Sequence, residues 1–335
     1  MQKKVDPGIE RNSQSRFYKK NKIWTKSFIL AIIGVILLGV ISLFTGVYDI
    51  RGQIDGWDMF FITRVPRTVA LMLTGAALAM TGLVMQLITQ NRLVEPTTTG
   101  TTEWAGLGLL TVYLLFPGPS LVLRMTGAIV FSFIGTMIFF LFLRRVRLRS
   151  SLIVPIIGLM LGAVISAVST FLGLFFEMAQ VIESWFVGSF TAVQAGRYEF
   201  LWIIVLVTFF IFIYANRLTL AGLGEDVSKS LGVNYNTLIL VANGSPSPSE
   251  SLPQSLDIYR FLALFRISSP CLEDDLRSNL PWVCVIGMGI IMLCDIISRT
   301  IIMPYEVPVS LILGTVGAVV FITILLRQRR PRRLG

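Results

Sequence analysis

Residues 68–89 read TVALMLTGAALAMTGLVMQLIT, without one charged side chain. A helix needs about 20 apolar residues to cross roughly 30 Å of hydrocarbon, and this run meets that length. It is too long and too uniformly apolar for a barrel strand, and in lipid only a helix satisfies its own backbone without closing into a barrel. Working outward, similar runs lie at 27–47, 98–116, 121–143, 152–176, 199–216, 281–300 and 306–326. The sequence therefore predicts an all-α fold, a polytopic transmembrane helical bundle with eight clear spans. Of the 335 residues 54% are hydrophobic and 14% charged, and the mean hydropathy is +0.75. A water-soluble globule of that composition would lack the polar surface to cover itself.

The formal charge of +10 does not point to nucleic acid, because the basic residues sit in short blocks between apolar runs. Lys3, Lys4, Arg11, Arg16, Lys19, Lys20 and Lys22 precede the first span. Arg144, Arg145, Arg147 and Arg149 follow the fourth, and Arg327, Arg329, Arg330, Arg332 and Arg333 end the chain. Counting spans puts all three blocks on one side, so both termini are expected in the cytoplasm and the loops 48–67, 177–198 and 301–305 outside. The chain divides into a basic tail (1–24), a transmembrane domain (25–326) and a second basic tail (327–335). The first run lacks an AxA-like cleavage site and reads as a retained helix. Cys271, Cys284 and Cys294 form no CxxC pair and histidine is absent, so neither a metal site nor a catalytic residue is expected.

Small residues recur at spacings that let helices approach closely: Gly75 with Ala79, Gly158 with Gly162, and Gly314 with Ala318. Ionisable residues in or near the spans are Glu103, Arg124, Asp295 and Glu306; such residues mark function by default. Arg124 and Glu306 lie near span ends, where snorkelling suffices, and Asp295 can pair with Arg299 one turn on.

The stretch RVPRTVALMLTGAALAMTGLVMQLITQNRLVEPTTTG at 64–100 resembles the permease family of ABC importers for ferric siderophores, haem and vitamin B12. Its R-x-P-R start, G-A-A-L-A-x-x-G-x-x-x-Q helix and N-x-L-x-x-P-x-x-x-G turn are carried by Arg64, Pro66, Arg67, Gly75, Gly82, Gln86, Asn91, Pro96 and Gly100. Arg92 stands where the family usually has proline. WFVGSF at 185–190, LGEDVSKSLGV at 223–233 and DIISR with EVPVSLILGTVGAVVF at 295–321 are similar to further family elements, the last including Asp295, Glu306 and Pro308. The Asn-Arg variant with its Glu-Pro-Thr-Thr run looks like a siderophore branch.

The resemblance implies ten spans, an ATPase partner, a second permease subunit, an extracytoplasmic substrate-binding protein, and residence in a bacterial inner membrane. No GxxxxGK[ST] phosphate loop occurs, so the chain is expected to bind no cofactor, ATP being used by the partner. The family places ATPase coupling in the segment at 217–235, here Leu223, Gly224, Glu225, Asp226, Ser230, Leu231 and Gly232; without the family it reads as a cytoplasmic connector. Arg64, Arg67 and Arg299 match positions that meet acidic residues of the binding protein, although on their own they read as interfacial anchors. Gly158, Gly162, Ser166 and Ser169, with Trp185, Gly188 and Ser189, are expected to border the passage; a helix-packing role fits them equally. The competing class is an ion-coupled secondary transporter, which would show intramembrane acid or histidine relays and paired broken helices. A membrane-embedded enzyme lacks its nucleophile and base.

One block departs. Residues 243–272 read NGSPSPSESLPQSLDIYRFLALFRISSPCL, where the family has two more spans. Burying Glu250, Asp257, Arg260 and Arg266 centrally would cost about 3 kcal/mol each. The spacing from 231–233 to 275–281 nevertheless suits the family. One permitted coding of residues 265–273, regrouped by one base, spells VPNIVSLFRG, similar to a family segment, so a compensated frameshift is one reading. A genuine disordered Ser/Pro-rich loop is the other.

Overall fold

The computed structural model describes residues 26–46, 56–89, 91, 96–145, 153–191, 193–196, 199–221, 230 and 276–328. The coupling segment, apart from Ala221, Ser230 and the end of the preceding helix, lies outside the described residues, as do the block at 243–272 and nearly all of both tails. Among the described residues all regular structure is helical: α1 (Lys26–Phe44), α2 (Gly56–Ile88), α3 (Thr101–Leu115), α4 (Leu121–Arg145), α5 (Ile153–Phe175), α6 (Ala179–Phe186), α7 (Ile203–Ala221), α8 (Leu276–Thr300) and α9 (Val309–Gln328). Six of these, α1, α2, α4, α5, α7 and α8, are long and apolar enough to cross a membrane. The run at 98–116 becomes the 15-residue α3, entered through a tight 3-10 turn at Pro96–Thr99.

The outward loop expected at 48–67 is partly helical, since α2 already starts at Gly56. Pro66 supplies the reason. It has no N–H to offer the carbonyl of Ile62 four residues back, and the chain widens into a π-helical turn over Phe60–Arg64. The Ile62 carbonyl instead accepts from the Ala195 N–H at 2.9 Å, which ties the 193–196 loop to α2. Arg64 and Arg67 interrupt the apolar pattern and hide this continuation from a hydropathy reading.

The centre of the bundle is α2, with 83% of its apolar window buried against 17% for α1 and α5. Lipid tails are as apolar as leucine, so helices associate here through close contact and hydrogen bonds rather than through a hydrophobic drive. Gly75 allows that contact: a Cβ there would stand 2.7 Å from the Gly287 carbonyl oxygen of α8. Around this crossing pack Leu71, Leu78, Met80, Phe139, Ile211 and Ile291. Ala105, Leu109 and Ala128 join α3 to α4. Exposed Leu30, Ile33 and Leu37 on α1, and Leu159, Met160 and Phe171 on α5, are faces suited to a bilayer.

The small-residue pair on α9 needs correction. Its buried stripe runs through Val309, Ile312, Leu313 and Gly317, and Ala318, about 100° further round the helix, is exposed. Among the described residues Gly314 with Ala318 therefore makes no close approach.

Candidate functional site: an ionic clamp and a polar cavity

Where α1, α2 and α8 meet, four charged side chains converge. Arg67 is presented by the turn of α2 that follows Pro66, Asp295 and Arg299 are one turn apart on α8, and Glu306 lies just before α9. Asp295, fully buried, accepts from Arg67 Nη2 at 2.7 Å and Nε at 3.2 Å through Oδ1. Its Oδ2 lies 2.5 Å from Arg299 Nη2 in an off-axis ion pair. Glu306 takes the remaining Arg67 nitrogen, with Nη1 3.0 Å from Oε1 and 2.8 Å from Oε2. Two cations face two anions, which is what a low-dielectric site requires.

The same arginines close the end of α1, whose last carbonyls have no partner within the helix. Arg299 Nη1 donates to the carbonyls of Thr45 at 2.7 Å and Ser42 at 3.2 Å, while its Nη2 donates to Ser42 Oγ at 2.7 Å. Arg64 Nη1 donates to the Leu43 carbonyl at 3.1 Å. Cations at a helix C-terminus also meet the negative end of its dipole.

The structure thus brings Arg64, Arg67 and Arg299 to one end of the bundle. It turns the forks of Arg67 and Arg299 inward, their side chains being 11% and 5% exposed, and leaves Arg64 half-buried. Glu306 does not snorkel alone but pairs with Arg67. Asp295 pairs with Arg299 as the i,i+4 spacing allows, and also with Arg67, which the local sequence does not foretell. Arg124 donates to the Tyr113 hydroxyl at 2.7 Å and sits 5.6 Å from the centre of its ring.

A second constellation lies between α3, α5 and α6. Gly158, Gly162, Ser166 and Ser169 recur at helical spacing along one face of α5. Ser166 and Ser169 line a cavity of about 390 Å³ together with Thr102, Glu103, Glu183 and Phe186. Gly158 and Gly162, further along that face, let α5 close on the turn into α3: a Cβ on Gly158 would overlap the Thr98 carbonyl, and one on Gly162 would come within 3.3 Å of Glu103 Oε2. Gly100, at φ +80°, turns the chain into α3 and presses on Gly162, a conformation that other residues rarely adopt.

The 185–190 element borders this region. Trp185 lies on α6, and Gly188, at φ +70°, is buried. Ser189 and Thr191 share a hydroxyl hydrogen bond of 2.8 Å. Ser310 Oγ donates to the Val187 carbonyl at 2.7 Å and ties α9 to the element. Of the remaining motif residues, Gly82 and Gln86 are buried in α2, and the Asn91 N–H closes the end of that helix on the Gln86 carbonyl at 3.1 Å. Pro96 opens the 3-10 turn, and the Pro308 carbonyl accepts from Leu311 N–H at 3.1 Å where α9 begins. Sequence reasoning flagged Glu103 only as ionisable and missed Gly287 and Glu183. An acid in the first turn of a helix entered by a glycine-ended turn was the available signal for Glu103.

The chain matches the FecCD transport family over residues 23–245 and 261–327. It is 74% identical over 329 residues to the petrobactin import system permease protein FatD of Bacillus anthracis, covering 97% of this chain and 98% of that one. It is 35% identical over 305 residues to the petrobactin permease YclN of Bacillus subtilis, covering 88% and 96%. Identity to the vitamin B12 permease BtuC of Citrobacter koseri is 32% over 292 residues, covering 84% and 86%. A solved metal-chelate type ABC transporter in an inward-facing conformation superposes with TM-score 0.75 at 25% identity, covering 91% of this chain and all of that one.

Proposed function

The chain belongs to the FecCD transport family and is the multi-pass permease subunit of an ABC importer for iron-siderophore complexes; from that premise we propose that its cargo is ferric petrobactin. The observation that carries the cargo is the 74% identity along 97% of the chain to one petrobactin permease, with a second at 35%. Uptake of petrobactin-bound radiolabelled iron into cells deleted for this gene, complemented with the chain after its reading frame across 243–272 is restored, is the test. Restored uptake of petrobactin iron but not of vitamin B12 is expected; equal uptake of an unrelated chelate would overturn the assignment.

An ABC permease works with an ATPase and a substrate-binding partner. For this chain the ATPase engages the segment at 217–235 through Leu223, Gly224, Glu225, Asp226, Ser230, Leu231 and Gly232, on the cytoplasmic side that also holds both termini. A second permease subunit completes the passage, which Ser166, Ser169 and the 185–190 element border. No cofactor resides in the chain. The binding protein's carboxylates meet the half-buried Arg64 first. Arg67 takes part only as Glu306 yields its place, and Arg299 only as its pairing with Asp295 and the α1 carbonyls loosens, because both forks are otherwise occupied.

Residues 243–272 are a compensated frameshift. In support, the family match passes over 246–260, inside this block, and four charges there oppose insertion. The coding sequence decides: absence of an apolar run in both other frames refutes it. The chain as written then assembles poorly, and normal uptake by it would contradict that expectation.

A further inference from the structure

The cavity between α3, α5 and α6 holds polar atoms to which the fold gives nothing. Thr102 Oγ1, Glu103 Oε2 and Ser169 Oγ are buried without hydrogen-bond partners, and their residues line the same space. Ser169 is only 9% exposed, so water at the surface does not serve it. A second carboxylate, Glu183, stands exposed at the rim, and no lysine or arginine is among the lining residues.

The donor and acceptor inventory defines what is missing. A carboxylate oxygen only accepts, and a hydroxyl can donate or accept, so the triad calls for a hydrogen-bond donor. Two carboxylates without a countercharge repel anions and favour a positive group. Glu103 stands in the first turn of α3, at the positive end of the helix dipole, and this position leaves Oε2 unoccupied. At about 390 Å³ the space is at the small end of ligand pockets, suited to an arm of a chelate rather than the whole.

We propose that Glu103, Thr102 and Ser169 form a binding site for a cation, either a protonated amine arm of the passing chelate or a free alkali cation. The amine assignment rests on the reading that this cavity borders the passage.

Thermal melting of the full-length chain in detergent tests the site, with 1,4-diaminobutane, neutral 1,4-butanediol, sodium or potassium chloride as probes and choline chloride holding ionic strength constant. The diamine is expected to raise the melting temperature and the diol to leave it unchanged, and Glu103→Gln and, separately, Ser169→Ala should weaken the diamine response about ten-fold. A response to sodium or potassium but not to the diamine, lost in the same variants, assigns the site to an alkali cation. No response to any cation, or an undiminished response in both variants, overturns the proposal. Ser166→Phe, which fills the cavity, separates this from the reading beneath it: diamine binding in the native chain with petrobactin-iron uptake intact in the frame-restored Ser166→Phe variant would uphold the site and refute its place on the passage.

Discussion

The ionic clamp and the polar cavity both bury carboxylates in one bundle, yet they are built in opposite ways. At the clamp, Asp295 meets Arg67 and Arg299, Glu306 fills the last position on Arg67, and the spare donors of Arg299 close the end of α1. In the cavity, Glu103 Oε2 and the hydroxyls of Thr102 and Ser169 take no partner from the described residues. The contrast teaches where this chain spends its charge on holding helices together and where it keeps charge available for something that arrives.

The harshest way to break the comparison is to remove the centre of the clamp. Asp295→Ala leaves two buried guanidinium groups without a carboxylate between them, and a loss of about 3–5 kcal/mol is expected. Thermal unfolding and the yield of monodisperse protein in detergent would read it. A melting temperature within a degree or two of the parent would show that the clamp is ornamental to the fold. On the cavity side, Gly158→Ala forces a methyl against the Thr98 carbonyl, which is backbone and cannot step aside; about 1–3 kcal/mol should be lost. An unchanged unfolding curve would mean that the turn at Pro96–Thr99 yields.

Glu103→Gln sharpens the comparison through its sign. Replacing a half-buried carboxylate whose Oε2 has no partner among the described residues by a neutral amide should raise stability in the absence of ligand by about 1 kcal/mol, where Asp295→Ala lowers it. A fall on denaturation would place Glu103 among the structural charges. The smallest effect belongs to Glu306→Gln. Its side chain is 29% exposed and its pairing is partly screened, so about 0.5 kcal/mol is expected. The same variant should bind the substrate-binding protein more tightly in a surface-capture assay, since Arg67 is released; weaker binding would show that Glu306 itself takes part in docking.

Much of this architecture was legible in advance. All eight apolar runs coincide with helices, because the length needed to cross hydrocarbon and the need to satisfy every backbone group leave a greasy run little choice. Gly75 with Ala79 was legible as a contact face, but not its partner Gly287, since small-residue spacing says nothing about which helix it meets. The helical continuation through 56–67 was hidden by Arg64 and Arg67, which look like a loop until Asp295 and Glu306 neutralise one and the α1 carbonyls accept from the other. The pair Gly314 and Ala318 misled for the converse reason: spacing does not reveal which face of α9 is buried. Glu103 was visible as an intramembrane acid, but its lack of a partner is a property of space.

By itself the sequence determined that this chain lives in a bilayer, that it is helical, and through its motif from Arg64 to Gly100 what kind of permease it resembles. These follow from local composition and from residues close together along the chain. Only the tertiary structure decided which charges are spent: Arg67 finds Asp295 across 228 positions of sequence, while Glu103 Oε2 meets no partner among the described residues. Whether a buried charge has a counterpart depends on distances between helices, and no linear pattern records them.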